Sequence, residues 1–538
     1  MKKYSKRLTC VLLACALLMG LLLTGCGGSG SNDGTKEDAS ASGKTYQTEL
    51  VNVSTSVTTL APFTNGFTSK MLTYSVYEPL MSMDYETNEM VPFIGKKLTN
   101  PSEGVYEVEI FDYVTDSNGN HITADDVLYS FEKARESGFF NNIMSTLTAV
   151  EKIDDYNIRL VFTNMRKDVY KQVLSNINII SKAAYEASSD GMATDKPCGT
   201  GAYVVESFVS AAEAVVVARE DYWQTDDSVR NWISTQNTKR IAFQALADKT
   251  ANAMSLRSGE IDITYSIADE DQQTFVDFDS MTAKEGYSAC FMPNGAHRHI
   301  TFNCSTNSPC QDVNLRKAIC HAIDIDGVIA SCDRYIGARY NEYSACPSYT
   351  DVPASMLKEA GSYWEYDVDL AKEYLAKSSY NGETIRILVN PAGWMAAGTV
   401  IGAYLDAIGI KYELLSYDAA LYADQHADES GTLYDIDLSE ISNFFAFWNA
   451  NTTLDINSYS SGVNHLFIKD DHLQELYDAA ASADGTPEDI QALADYVDEQ
   501  CYAYSLFYCT HVFYGSDRIT KWARIERQPI PGACEYSR

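Results

Sequence analysis

Hydrophobic and polar positions along this chain change period repeatedly, and the changes mark its elements. The run Glu49 to Val57 alternates and is rich in β-branched residues, which predicts a strand. Val105 to Phe111 and Tyr156 to Phe162 read the same way, each followed by turn or helix signals. Between them, Asn118-Gly119 is a dipeptide that tolerates the positive φ of a tight turn. Thr123-Ala124-Asp125-Asp126 follows as a capping-box variant, hydroxyl first and carboxylate three residues on, with both acids near the helix's positive end. Val127, Leu128, Phe131 and Ala134 then recur at helical spacing. Strands are expected over Ala214 to Ala218, Ile241 to Phe243 and Ile261 to Tyr265, with a helix over Ala247 to Ser258. From about Arg298 a second such region begins, with helices expected at Leu315 to Ile323, Val368 to Ala376 and Gly398 to Ile408. Strands are expected there at Ile385 to Val389 and Ile410 to Leu415. This alternation predicts an α/β architecture, and 538 residues exceed one ordinary domain.

The first 43 residues follow another rule. Lys2, Lys3, Lys6 and Arg7 precede an apolar run from Leu8 to Leu23, the layout of an export signal. The run is short for a stable membrane span, which needs about 20 apolar residues. It ends in Leu23-Thr24-Gly25-Cys26, which resembles the bacterial lipobox, so lipidation is expected at Cys26. The stretch from Gly27 to Gly43 has almost nothing to bury and should behave as a flexible tether. A literal G-x-G-x-x-G from Gly25 to Gly30 has no strand before it and no helix after it, so it carries no dinucleotide reading.

Composition narrows the function classes. The formal net charge is −33, and it becomes more negative once the basic leader is removed. Such a balance argues against nucleic acid, whose phosphates need clustered Lys and Arg, and against a basic patch on an anionic membrane. Of thirteen cysteines, ten lie beyond Cys26, with irregular spacing and no C-x-x-C. Cys304 and Cys310 could bridge across the turn between them or stay as buried thiols. No G-x-S-x-G, H-E-x-x-H or P-loop is present. Asp116-x-Asn118-x-Asn120 hints at a calcium loop, but His121 stands at the glycine position and Val127 at the bidentate acid position. His297 and His299 lack further metal ligands, and Asp324 with Asp326 reads as a turn and cap. No enzyme activity, cofactor or metal is expected.

Several segments, in order, resemble one family. Leu60-Ala61-Pro62, Val76-Tyr77-Glu78-Pro79-Leu80 and the Asp116 to Phe131 stretch come first. Gly199-Thr200-Gly201-Ala202-Tyr203, Arg219-Glu220-Asp221-Tyr222-Trp223 and Ser258-Gly259-Glu260-Ile261-Asp262 follow. Phe302-Asn303, Leu315-Arg316-Lys317-Ala318-Ile319 and Ala322-Ile323-Asp324 complete the set. Together they resemble the family 5 extracellular solute-binding proteins, the oligopeptide- and dipeptide-binding proteins of ABC importers. The resemblance implies a two-lobed periplasmic-binding-protein-like α/β fold of class C, whose larger lobe carries an extra subdomain. Expected boundaries are a lipoprotein signal peptide over 1–25, a linker over 26–46, lobe I over 47–80, 196–288 and 506–538, the extra subdomain over 81–195, and lobe II over 289–505. The implied partners are a peptide or other small organic solute, ABC permease and ATPase subunits, and the membrane through an N-terminal lipid anchor. A monomer on the extracellular face of the cell membrane is expected.

In that family an Asp of the second lobe holds a peptide's ammonium. Here Tyr434 to Leu438 matches the strand leading to it, but no acid lies between Glu440 and Asp455. A buried ammonium without a counter-charge is costly. Phe444, Phe445, Phe447 and Trp448 offer aromatic surface there, and Asn443, Asn449 and Asn451 neutral hydrogen bonds. That mixture suits a neutral or blocked peptide, a cyclic peptide or a glycan equally, and any one of the aromatics could instead be core. Trp394 follows a lobe II strand in a loop, where open α/β sheets meet ligands. The candidate ligand-binding set is Trp448, Trp394, Asn443, Phe444, Asn449, Thr59 and Phe63. A secreted hydrolase and a surface sensor or adhesin built on the same fold are the rival classes.

Overall fold

The computed structural model describes residues 44–537 apart from 65–69, 85–88, 164–168, 247, 279, 332–335, 339–363, 392–393, 427–429, 442–466, 468–469, 483 and 526–527. Residues from Thr45 onward form one compact unit.

The chain opens with β1 (Thr48–Ser54), then builds a separate four-stranded antiparallel sheet from β2 (Gly95–Ser102), β3 (Val105–Ile110), β4 (Leu147–Asp154) and β5 (Asn157–Phe162), in the order β2-β3-β5-β4. Helix α1 (Ala124–Ser137) packs on it through Val127, Phe131 and Ala134. The main sheet resumes with β6 (Tyr203–Val209), β7 (Glu213–Ala218), β8 (Thr238–Gln244), α2 (Lys249–Ser258) and the short β9 (Ile263–Thr264). A long strand, β10 (Tyr287–Phe302), leads away into α3 (Val313–Ala322), β11 (Ile336–Ala338), α4 (Val368–Lys377), β12 (Ile385–Val389), α5 (Met395–Ala407), β13 (Tyr412–Ser416), α6 (Ala419–His426) and β14 (Ile436–Ile441). Helices α7 (Asp471–Ala481) and α8 (Pro487–Gln500) follow, and β15 (Ala503–Ser516) returns.

The main sheet runs β6-β7-β8-β1-β9-β15-β10-β14-β12-β13, with β11 on β15. Two cores flank it. One gathers Val51, Val53, Leu60, Phe243 and the four-stranded sheet; the other gathers Ile300, Phe302, Ile387, Leu438 and the faces of α3, α5, α7 and α8. Among the described strands, only β10 and β15 are long enough to belong to both halves. They pair antiparallel from Tyr287↔Ser516 to Thr301↔Ala503. The fold is therefore two α/β lobes joined by a pair of crossing strands.

Most expected elements are present with shifted ends. The first strand stops at Ser54, and the Ile261 to Tyr265 strand shrinks to two residues. Neither β10 nor β15 was anticipated as a long strand. The pairing slips between Pro293 and His297 and again between Arg298 and His299, and such bulges break the period of two that marks a strand.

Four of the segments that carry the family resemblance, around Glu78, Asp116, Thr200 and Arg219, converge on one buried knot in lobe I. Gly199 and Gly201 lie so close to Val76 that an added Cβ would sit 2.1 Å from the Val76 carbonyl oxygen at the first and 2.5 Å from its carbonyl carbon at the second. Glu78 is 1 % exposed, and its carboxyl accepts from the Tyr222 hydroxyl at 2.6 Å, the Ser234 hydroxyl at 2.9 Å and the Trp223 Nε1–H at 3.0 Å. Arg219 is equally buried and donates to the carbonyls of Thr115, Asp116 and Thr200 at 3.2, 2.9 and 3.2 Å. That arginine bolts the Asp116 turn to the rest of the lobe. Asp116 itself turns inward: its carboxylate accepts from the backbone N–H of Asn118 and Asn120, both at 2.9 Å, and from the Asn120 amide at 2.7 Å. The oxygens that suggested a calcium loop are spent on the turn.

The expected capping box is present at the start of α1. The Asp126 carboxylate takes both the backbone N–H and the hydroxyl of Thr123, each at 3.0 Å, and the Lys182 N–H at 2.9 Å. The carboxylate is the hub and the hydroxyl is a donor to it. Thr123→Ala is expected to cost about 1 kcal/mol of stability, and Asp126→Ala more, because three donors then lose their acceptor. Denaturant melts of both variants check the order; ligand affinity should not change in either.

Cys304 and Cys310 are buried as separate thiols. Cys304 donates to the Phe302 carbonyl at 3.4 Å.

Candidate ligand cleft

Strand polarity locates the cleft. In lobe I, β1 is parallel to β8 and β9, and Ile263 of β9 pairs with Gly515 while Thr264 pairs with Tyr514. Continuing β9 therefore runs back along β15 toward lobe II. In lobe II, β14 starts beside Phe302 and ends with Ile441 beside His297, and β12 and β13 are parallel to it. Both sets of parallel strands thus aim their carboxyl ends at the middle of the crossing pair, near Pro293 to His297 and Tyr508 to Thr510. Open α/β sheets bind ligands at such ends, where loops are free to carry side chains. The bulges in β10 fall in that same stretch, which suits a hinge that must absorb φ/ψ change.

In lobe I, the segments that follow β1, β8 and β9 lie at these strand ends. Thr55 is tied across to β8 by its N–H to the Gln244 carbonyl at 2.9 Å. Thr59 is half-buried, and its hydroxyl accepts the Ala61 N–H at 3.1 Å. Phe63 is buried in the lobe I core beside Tyr185, ring centroids 6.3 Å apart. Tyr265, just past β9, is the aromatic that sequence reasoning passed over. Its ring is 37 % exposed and leans on Phe513 of the crossing strand at 5.9 Å. Partial burial raises its phenol pKa, so the hydroxyl stays protonated. Its position three residues after the Ser258 to Asp262 motif is the sequence signal that could have singled it out.

In lobe II, Trp394 stands between the carboxyl end of β12 and the start of α5. Its N–H reaches the Asn390 carbonyl at 3.4 Å, and its own carbonyl accepts from Gly398 at 2.8 Å, so β12 and α5 fix it from both sides. The ring is 2 % exposed, packs in the second core, and carries the Arg298 guanidinium 4.5 Å from its centroid. The indole Nε1–H has no hydrogen-bond partner among the described residues. Nearby, His299, Thr301, Asp437, Ser439 and Ser505 form a buried polar row on one face of β10, β14 and β15. The His426 Nε2 lies 3.1 Å from Asp437 Oδ2. Asp435, by contrast, sits at the amino end of β14, where Arg386 grips it at 2.9 and 3.0 Å and Ser308 donates at 2.8 Å; it is scaffold.

Asn443, Phe444, Trp448 and Asn449 lie outside the described residues, as does Cys26. The strand leading to the first four ends at the hinge. Among the described residues no group of three His, Cys, Asp or Glu side chains could hold a metal ion. No described helix is long and apolar enough to cross a membrane.

A two-lobed α/β body hinged on two crossing strands, with both sets of strand ends facing the crossing, defines a solute-binding fold. The family model for bacterial extracellular solute-binding proteins, family 5 Middle, matches residues 89–464, and the chain belongs to that family. It is similar to the di/tripeptide-binding protein 3 of Pseudomonas aeruginosa, 23 % identical over 335 residues that cover 57 % of this chain and 58 % of that protein. The chain thus spans less than two thirds of the curated relatives it matches first. Among solved structures, NikA from Brucella suis in complex with Fe(III)-EDTA superposes with a TM-score of 0.73 at 17 % identity, covering 90 % of this chain and 99 % of that one. The oligopeptide-binding protein AppA from Bacillus subtilis, in complex with a nonapeptide, gives 0.65 at 15 % identity, covering 92 % and 100 %.

Proposed function

We propose that this protein captures a peptide-like or other organic solute between its two lobes and delivers it to an ABC permease, working as a binding protein and not as an enzyme. The observation that carries the reading is the convergence of both lobes' strand ends on one hinge. Closure there would remove the solute from water, and aromatic faces such as Tyr265 would supply tolerant contact area. Relatives named for di- and tripeptides support a peptide-like solute, and a similar fold in complex with a metal chelate supports keeping other organic solutes in view.

A free α-ammonium is not well served here. The segment 441–454 brings no acid, and Asp437 on the adjoining strand already faces His426. A neutral, blocked or cyclic peptide, or a glycan, fits that chemistry better. Mass spectrometry of the solute released when the purified protein is denatured tests the reading: a small polar organic molecule is expected, and a protein that never carries or binds one argues for sensing or adhesion.

The lipobox reading of Leu23 to Cys26 implies a thioether-linked lipid anchor on the outer face of the membrane. Cys26→Ser is expected to release the protein from the membrane fraction or leave it unprocessed, read by fractionation and intact mass. Normal processing with full membrane retention would sink the anchor.

A further inference from the structure

Cys320 on α3 and Cys501 at the end of α8 stand 181 positions apart in the chain, yet their Sγ atoms are 3.3 Å from each other. Both are fully buried in the lobe II core. The backbone around them is already locked in place. Arg316, one helical turn before Cys320, donates from Nε to the Cys501 carbonyl at 2.9 Å and from Nη2 to the Gln500 carbonyl at 2.6 Å. Cys501 has φ +52°, the left-handed conformation that ends helices and that favours Gly or Asn. A cysteine occupies that position with its sulfur against another. Cys304 also lies close by, but its thiol is engaged with its own strand's Phe302 carbonyl.

We propose that Cys320 and Cys501 form a disulfide in the exported protein. This rests on the extracellular address of the family and not on the cleft. Bonding requires the sulfur separation to fall from 3.3 Å to about 2.05 Å. The oxidant is an extracellular disulfide, either a small molecule such as cystine or a thiol–disulfide oxidoreductase. The Cys320 thiolate attacks one sulfur of the oxidant and expels the other as a thiolate, leaving a mixed disulfide. The Cys501 thiolate then attacks the Cys320 sulfur and expels the second half of the oxidant. Two protons leave the protein, and two electrons reduce the oxidant to two thiols. Burial pushes the Cys320 thiol well above its ordinary pKa, so the exchange belongs to the folding chain, before lobe II closes over it.

The bond would brace the root of β15, because Ala503 begins that strand two residues after Cys501. It would also close a loop holding most of lobe II and restrict the unfolded lobe accordingly.

The test uses the full chain, secreted through its own signal from a bacterial host. It is denatured in guanidinium with iodoacetamide and no reductant, then digested and mapped by mass spectrometry. The expected result is the Cys320 and Cys501 peptides joined, two hydrogens lighter than their sum and separated by reductant. The Cys320→Ser variant should melt about 10 °C below the oxidised protein in its lobe II transition and should not respond to reductant. Recovery of both peptides singly, each alkylated, overturns the proposal. Cys501 joined to Cys304 does so as well.

Discussion

Glu78→Ala is expected to lower the stability of lobe I by at least about 2 kcal/mol, since the buried Tyr222 and Ser234 hydroxyls lose this acceptor at about 1–3 kcal/mol each, while the Trp223 indole N–H keeps the Thr200 carbonyl at 3.0 Å. The donors are Tyr222, Trp223 and Ser234, on segments that reach Glu78 from more than 140 residues away in sequence. Glu78→Gln should fall between, because the amide keeps one acceptor oxygen and turns an N–H₂ toward groups that only donate or are already bonded. The pH dependence discriminates further. Burial raises the Glu78 pKa above the ordinary 4.5, although its donors pull the other way. The folded lobe therefore holds the proton more tightly than the unfolded chain. Stability from this group is fully present below 4.5 and is lost as pH rises through the raised folded value. Urea melts across that range should show the wild type losing stability with rising pH relative to Glu78→Gln, which lacks this titration. A variant with unchanged stability at every pH would mean that the knot does not depend on this carboxyl.

Trp394→Ala carries the second large effect. Truncating a tryptophan that is 2 % exposed costs about 3–5 kcal/mol by lost burial and an unfilled cavity. The Arg298 guanidinium loses its stacked face as well. The expected outcome is an early lobe II transition in calorimetry while lobe I melts as before. Tyr265→Ala is the contrast: that ring is partly in water, so its loss should leave both transitions nearly in place and weaken solute binding at least tenfold, as a truncated aromatic contact does. Equal behaviour of the two variants would erase the distinction between core and cleft drawn from their burial.

The α/β class and most element positions were legible because β-branched alternation in segments such as Val51-Asn52-Val53 and Ile385 to Val389 is strong and local. The crossing strands were not. The β10 strand contains Pro293 and Gly295, is interrupted by bulges, and buries His299 and Thr301, so neither its period nor its polarity advertises a central strand. The family motifs gave the fold but drew attention to a structural knot: Glu78, Gly199, Gly201 and Arg219 hold lobe I together. Tyr265 escaped notice because an exposed tyrosine after a strand is ordinary in sequence. Only the direction of β9 along β15 puts it at the hinge. Trp394 was legible as a loop residue after a lobe II strand, but its burial depends on α5 and Arg298, which are fixed by packing.

The most direct measurement is hydrogen exchange of the purified chain with and without the solute that it releases on denaturation. The account predicts slowed exchange in both lobes at once, in the segments after β1 and β9, at Asn390 and Trp394, and along the bulged middle of β10. Protection confined to one lobe, or centred on the Glu78 knot, would contradict capture between the lobes.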